Sequence, residues 1–299
     1  MPRSMADNPP SKLWLSVTPG LFVLLWSSGF IGAKLGLPYA EPLTFLLARF
    51  AAVIVLLLPA AIILRRPWPH RPVLWFHIAV AGMLLHGGYL SGVFLAIHTG
   101  MPAGIVAVIV GIQPLLTALV SARMLGERVS PRQWSGLVLG FGGVVLVVFE
   151  KLGLSGASGA GLAYSALALV SITLGTVYQK RFCSQLDLWS GSVIQFVAAS
   201  LVLLPFALAF ETMRIHWSGQ FLFALAWLVV VLSLGAISLL HLLIRRGAAT
   251  RLSVLFYLVP PCTALLAFLV FGEKLSPLSL VGMAIAGAGV AIAVRPARR

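Results

Sequence analysis

The segment from Ala103 to Val148 returns 146 positions later, from Ala249 to Val294, and the two copies agree without a gap at 14 of 46 positions. Pro114 falls on Pro260, Thr117-Ala118-Leu119 on Thr263-Ala264-Leu265, Gly126-Glu127 on Gly272-Glu273, Ser130-Pro131 on Ser276-Pro277 and Gly136 on Gly282. The same offset pairs Gly29 with Gly175, Lys34 with Lys180, Phe50 with Phe196 and Leu57-Leu58-Pro59 with Leu203-Leu204-Pro205. Shared apolar composition can reproduce leucines and valines by chance, but not glycines, prolines and charges in register. The chain is a duplication, and each copy must be able to fold as the same unit.

Lipid is the solvent for that unit. The chain is 60% hydrophobic and 9% charged, whereas a soluble domain carries about a quarter charged residues. Runs long enough to cross a bilayer core, about 20 residues, predict ten helices at 17–35, 42–64, 73–95, 102–122, 133–149, 161–180, 188–210, 217–243, 250–270 and 278–294. The net charge of +14 would suggest nucleic acid in a soluble protein. Here Lys and Arg gather at the cytoplasmic ends of membrane helices, so the bilayer is the expected partner and nucleic acid is not. With the N-terminus inside, sixteen of the 21 Lys and Arg fall on the cytoplasmic side and four outside, while Arg49 lies within a helix. Both termini are therefore expected in the cytoplasm. Met1–Lys12 is polar and no small-residue cleavage site follows the first apolar run, so helix one is expected to stay as a signal anchor. Cys183 and Cys262 imply no disulfide framework.

Five helices per copy is an odd number, so the second copy crosses the membrane upside down. The predicted fold is all-α and integral to the membrane, ten transmembrane helices as two inverted five-helix repeats. Its expected parts are a tail at 1–16, a repeat at 17–149, a Gly/Ser-rich linker at 150–160, a second repeat at 161–294 and a basic tail at 295–299. Inverted repeats are the architecture of alternating-access transporters, whose substrate site lies near the midplane between the repeats.

Each copy ends in P-x-x-T-A-L, six further residues, then G-E-[RK]-[VL]-S-P and a glycine-rich last helix. With the run from Trp26 to Lys34 and with Ala48-Arg49-Phe50, this resembles the EamA unit of the ten-helix branch of the drug/metabolite transporter superfamily. The resemblance spans about residues 15–294 and is specific for family rather than substrate. It implies a bacterial inner-membrane, multi-pass exporter of amino acids and related metabolites, similar to bacterial aromatic amino-acid exporters. We expect a monomer with no cofactor and no metal.

Polar side chains deep in a membrane are costly and mark function by default. His86 lies near mid-depth in helix three, and Tyr89 at i+3 shares its face. Gln113 precedes Pro114 in helix four; the proline frees a carbonyl one turn earlier, near Val110. Pro260-Pro261 does the same in helix nine beside Tyr257, and Trp26, Ser27 and Ser28 complete a candidate cavity wall. The alternatives are structural: proline as a packing kink, serine as helix–helix glue, tyrosine as core. Two cations are gate candidates. Lys34 ends helix one at the outer face, where it could instead snorkel to headgroups. Arg49 sits about 10 Å below the outer boundary at 1.5 Å per residue, and its mirror is Gln195. Arg49 is expected to close the outer gate, by an ion pair or by interhelical hydrogen bonds, with Glu41 the nearest acid in sequence though across the helix start; binding a substrate carboxylate is the second reading. Glu127 and Glu273 read as turn chemistry, with the Ser-Pro that follows as helix cap and first turn.

The seven acids are Asp7, Glu41, Glu127, Glu150, Asp187, Glu211 and Glu273, all at helix ends or beyond. A cation/proton antiporter needs a carboxylate in mid-membrane, so that class is excluded. An intramembrane enzyme would need a convergent set such as H-E-x-x-H or paired acids, and none is present. A channel would need a filter. An exchanger of phosphorylated or nucleotide-linked metabolites would want several intramembrane cations, and Arg49 stands alone. The expected function is export of small zwitterionic metabolites, foremost amino acids with hydrophobic or aromatic side chains.

Overall fold

The computed structural model describes residues 12–126, 129–154, 158–184, 186–236, 239, 255–272 and 276–294. Helices α1 (Lys12–Gly36), α2 (Pro42–Ile63), α3 (Pro72–His98), α4 (Ala103–Leu125) and α5 (Pro131–Leu154) form the first repeat. Helices α6 (Gly159–Phe182), α7 (Leu188–Phe210), α8 (Gly219–Ala236), α9 (Phe256–Phe271) and α10 (Pro277–Val294) form the second. Seven of these are long and apolar enough to cross a membrane. The ten-helix reading holds, with α1, α3, α5 and α6 at least four residues longer than expected. Several expectations lie outside the described residues: the stretch of helices eight and nine between 240 and 254, Glu127, Glu273 and the basic tail.

Local chemistry sets the helix ends. Asp187 caps α7 by accepting from the N–H groups of Trp189 and Ser190 at 3.0 and 3.2 Å. Ser158 and Ser218 cap α6 and α8 in the same way. Ser130 and Gln133 close a reciprocal capping box at the start of α5, as the Ser-Pro motif suggests. Helices α4 and α9 both stop at a glycine in the left-handed region, Gly126 at φ 67° and Gly272 at φ 66°. That conformation is cheap for glycine alone, which accounts for the glycine of the repeated G-E turn.

The repeats interlock by exchange. Helix α1 packs on α8 as α6 packs on α3, and α2 packs on α8 as α7 packs on α3. Three pairs of equivalent helices meet each other: α2 with α7, α4 with α9 and α5 with α10. The last contact is backbone to backbone: a Cβ added to Gly143 would lie 2.3 Å from the Ala286 nitrogen, and one at Gly289 would lie 2.4 Å from the Gly140 nitrogen. The glycines of the last helices therefore act in close helix packing.

Regular helix fails at equivalent places in both repeats. Helix α3 widens to π geometry over Met83–Gly88 and α8 over Trp227–Ala236; the 146-residue offset carries the first stretch inside the second. Helix α4 breaks at Gly111-Ile112 ahead of Pro114, and α9 opens with a 3-10 turn over Phe256–Leu258 ahead of Pro260. Each proline removes an N–H from the helical ladder. The two irregular points touch, since a Cβ on Gly111 would meet Pro260 Cγ at 2.7 Å.

One face of the bundle carries Arg65, Arg66, Arg71, Arg123 and Arg181 in its loops and helix ends; it is called the basic face here. On the opposite face the repeats are stapled. Glu211 accepts from the N–H groups of Leu43 and Thr44 and from the Thr44 hydroxyl, all within 2.8 Å, and Glu41 accepts from the Thr212 N–H and hydroxyl. The Tyr39 carbonyl accepts from the His216 N–H, the two rings stack, the Tyr39 hydroxyl bonds Gln220, and Ala40 bridges Ile215. Glu211 thus caps α2 from the other repeat. Glu211→Ala should lower stability by about 1–3 kcal/mol, the scale for leaving buried donors unmade, because the Thr44 side chain it serves is buried. A thermal melt in detergent checks this; an unchanged melting temperature would mean that water replaces the carboxylate without loss.

Candidate functional site

Arg49 is buried, 4% exposed, on the eighth residue of α2. Its Nε and Nη2 both donate to the Ser233 hydroxyl, at 3.3 and 3.0 Å. Ser233 lies in the π segment of α8 and donates in turn to the Leu228 carbonyl five residues back, a carbonyl exposed by the wide turn. The interhelical hydrogen bond expected of Arg49 is therefore present. The expected ion pair with Glu41 is not: Glu41 turns to Thr212, and Arg49 meets no carboxylate among the described residues. A residue one turn outside the bundle's core cannot reach back while it is held by the loop of the other repeat.

Gln195 occupies the position in α7 that Arg49 holds in α2. It donates to Gln179 of α6 at 3.1 Å and lies beside the His86 imidazole, which sits in the π segment of α3. The two contacts are counterparts: in each repeat the second helix sends a polar side chain to the π segment of the other repeat's third helix. His86 stacks on Phe196 at 4.2 Å with Phe50 edge-on at 6.3 Å. The residue as a whole is half-buried. Arg49 lies within electrostatic reach of both His86 and Tyr89.

Tyr89, one turn from His86, is buried and lies close to Trp26. Trp26 is half-buried, held by Phe22 and Phe256 at 5.4 and 5.2 Å. Ser28 is also half-buried and accepts the Trp227 indole N–H at 2.9 Å. Ser27 behaves differently. It is fully buried and its hydroxyl lies 3.2 Å from the Val259 carbonyl of α9, the helix-packing alternative. The structure thus brings Trp26, Tyr89, His86 and Arg49 together, with Ser28 beside them.

Gln113 is buried at the restart of α4 and points its amide at Thr117 and, across to α6, at Thr176. Thr176 and Gln179 are one turn apart, so α6 presents a polar strip to Gln113 and Gln195 on the basic-face side of His86. Pro114 and Pro260 are buried where α4 meets α9. Tyr257 is fully buried and packs its ring against Gly140 of α5, which makes it core. Lys34 sits 4.3 Å from the Phe271 ring, tying the end of α1 to the end of α9 on the face opposite the basic one. Among the described residues no cluster of His, Cys, Asp and Glu could hold a metal.

Four residues of this arrangement escaped the sequence reading: Ser233, Gln179, Thr176 and Trp227. The offset does not single out Ser233, whose counterpart 146 positions earlier is Gly87. Nothing in the sequence separates Thr176 from other membrane threonines.

The comparisons agree with this architecture. The EamA-like transporter family matches twice, over residues 20–149 and 159–295. The inner membrane transporter YedA of Escherichia coli, itself uncharacterized, is 26% identical over 268 residues, 88% of this chain and 84% of its own. A probable amino-acid metabolite efflux pump of the same species is 26% identical over 284 residues, 92% of each chain. A chain of known crystal structure superposes with a TM-score of 0.71 at 22% identity, over 95% of this chain and 97% of that one, and so shares the fold. Two family matches that together span nearly the whole chain, on two interlocked five-helix repeats, have one reading: the chain belongs to the EamA-like transporter family and is a membrane transporter rather than an enzyme.

Proposed function

We propose that the chain exports amino acids and related metabolites by alternating access, with the basic face and both termini in the cytoplasm. The carrying observation is the pair of counterpart contacts, Arg49 with Ser233 and Gln195 with His86. A carrier must close on either side of one site, and an inverted repeat supplies two related closures. Arg49–Ser233, seconded by Lys34 on Phe271, is the outer gate; Gln195–His86 is the inner one. Trp26, Tyr89 and His86 line the site between them, with Ser28 at its edge and Gln113 on the cytoplasmic approach. The similarity to a probable amino-acid metabolite efflux pump supports the substrate class, and the aromatic lining favours apolar side chains.

Uptake by the purified chain in liposomes, screened with labelled phenylalanine, threonine, glutamate and a sugar phosphate, tests the reading. Saturable movement of an amino acid is expected, reduced at least tenfold by His86→Ala. Movement of the sugar phosphate alone would overturn the substrate class and favour a phosphorylated-metabolite exchanger on the same fold.

A further inference from the structure

We infer that Arg49 anchors a substrate carboxylate, and that the site prefers metabolites carrying one net negative charge to the matching zwitterions. The inference rests on the transport reading above and narrows its substrate. Two features of Arg49 carry it. The first is geometric: the Nε–Nη2 edge of the guanidinium fits the two oxygens of a carboxylate in parallel bonds. In this structure that edge converges on one neutral hydroxyl oxygen, at 3.3 and 3.0 Å. A carboxylate arriving from the Tyr89 and His86 side satisfies both donors better than Ser233 does, so binding and release of the gate are a single exchange.

The second feature is the charge balance. Arg49 is buried at 4% exposure, and a buried charge without a counter-charge is costly. No acid among the described residues supplies one. Glu41 and Glu211 are engaged in the staples at one face and Asp187 caps α7 at the other; the remaining acids, Asp7, Glu127, Glu150 and Glu273, lie at helix ends or outside the helices by sequence. A zwitterion brings its own cation and leaves the occupied site at +1, whereas a monoanion brings it to neutrality. The ligand class is a carboxylate with an apolar body and a blocked or absent amine, such as an N-acylated amino acid or a 2-oxo acid.

Initial rates in liposomes at neutral pH with N-acetylphenylalanine, phenylalanine and phenylalaninamide test this on one side chain. The acetyl compound should move at least tenfold faster than phenylalanine, and the amide should not move. In Arg49→Gln the advantage of the acetyl compound should vanish, and Arg49→Lys should keep part of it. Glutamine already stands at the equivalent position 195, and an unchanged elution profile and melt establish that the variant is folded. Phenylalanine moving as fast as its acetyl derivative would overturn the inference and leave amino-acid transport standing. A preference for the acetyl compound that survives in Arg49→Gln would overturn the role of Arg49. Movement of none of the three would overturn both readings.

Discussion

Ser233→Ala is expected to raise access to the central site from the face opposite the basic one by about 10- to 100-fold. The hydroxyl is the only partner of the buried Arg49 guanidinium among the described residues. Hydrogen bonds to a charged group contribute about 1.5–3 kcal/mol, and each 1.4 kcal/mol is about tenfold in an equilibrium. In the closed arrangement the variant leaves Arg49 buried without that bond; in the open one water serves it, so only the closed state is penalised. The counterpart, Gln195 beside His86, has no guanidinium, and hydrogen bonds without a charged group contribute about 0.5–1.5 kcal/mol. Gln195→Ala should therefore raise access from the basic face by only about 2- to 10-fold. Both are read from the labelling rate of Ser28→Cys by a membrane-impermeant maleimide, with Cys183 and Cys262 replaced by serine, in vesicles of each orientation. Equal rates in Ser233→Ala and the parent would remove Arg49 from the gate.

Gly143→Leu is expected to be the most destabilising single change in the fold. Its Cβ would sit 2.3 Å from the Ala286 nitrogen and 2.6 Å from the Gly282 carbonyl oxygen. Backbone cannot rotate away as a side chain can, so α5 and α10 must separate along their whole contact. Overpacking costs about 1–3 kcal/mol where neighbours can shift, and more where they cannot. A fall in melting temperature and in folded yield checks it. Gly142→Leu on the same helix meets nothing within 4 Å and is the matched control; if both variants behaved alike, the α5–α10 contact would not be the close one described.

Much of this was readable from the chain itself, because the information was redundant. Ten apolar runs and a gapless repeat gave topology, inversion and the matching proline breaks of α4 and α9. The G-E turn and its Ser-Pro cap were legible because left-handed glycine and capping serine are local requirements. The site was legible in part. Trp26, His86, Tyr89 and Arg49 stand out as polar or aromatic groups at depth, and they do meet. Ser27 and Tyr257 satisfied the same criterion and lie fully buried at helix–helix contacts, since depth along a helix does not say which way a side chain faces. The partner of Arg49 was not legible either: sequence proximity pointed to Glu41, but the interlocking of α2 with α8 hands it to Ser233. The π segments had no signature beyond Gly87-Gly88 in one copy, because a widened turn is set by packing between repeats.

Counterflow tests the central claim most directly. Liposomes holding the purified chain are preloaded with the unlabelled form of the compound moved fastest in the uptake screen, and entry of its labelled form is followed. One site that opens to one side at a time predicts a transient overshoot of label above the external concentration, abolished in empty liposomes. Label that only equilibrates, at a rate indifferent to preloading, would contradict alternating access and leave an open pathway through the same fold.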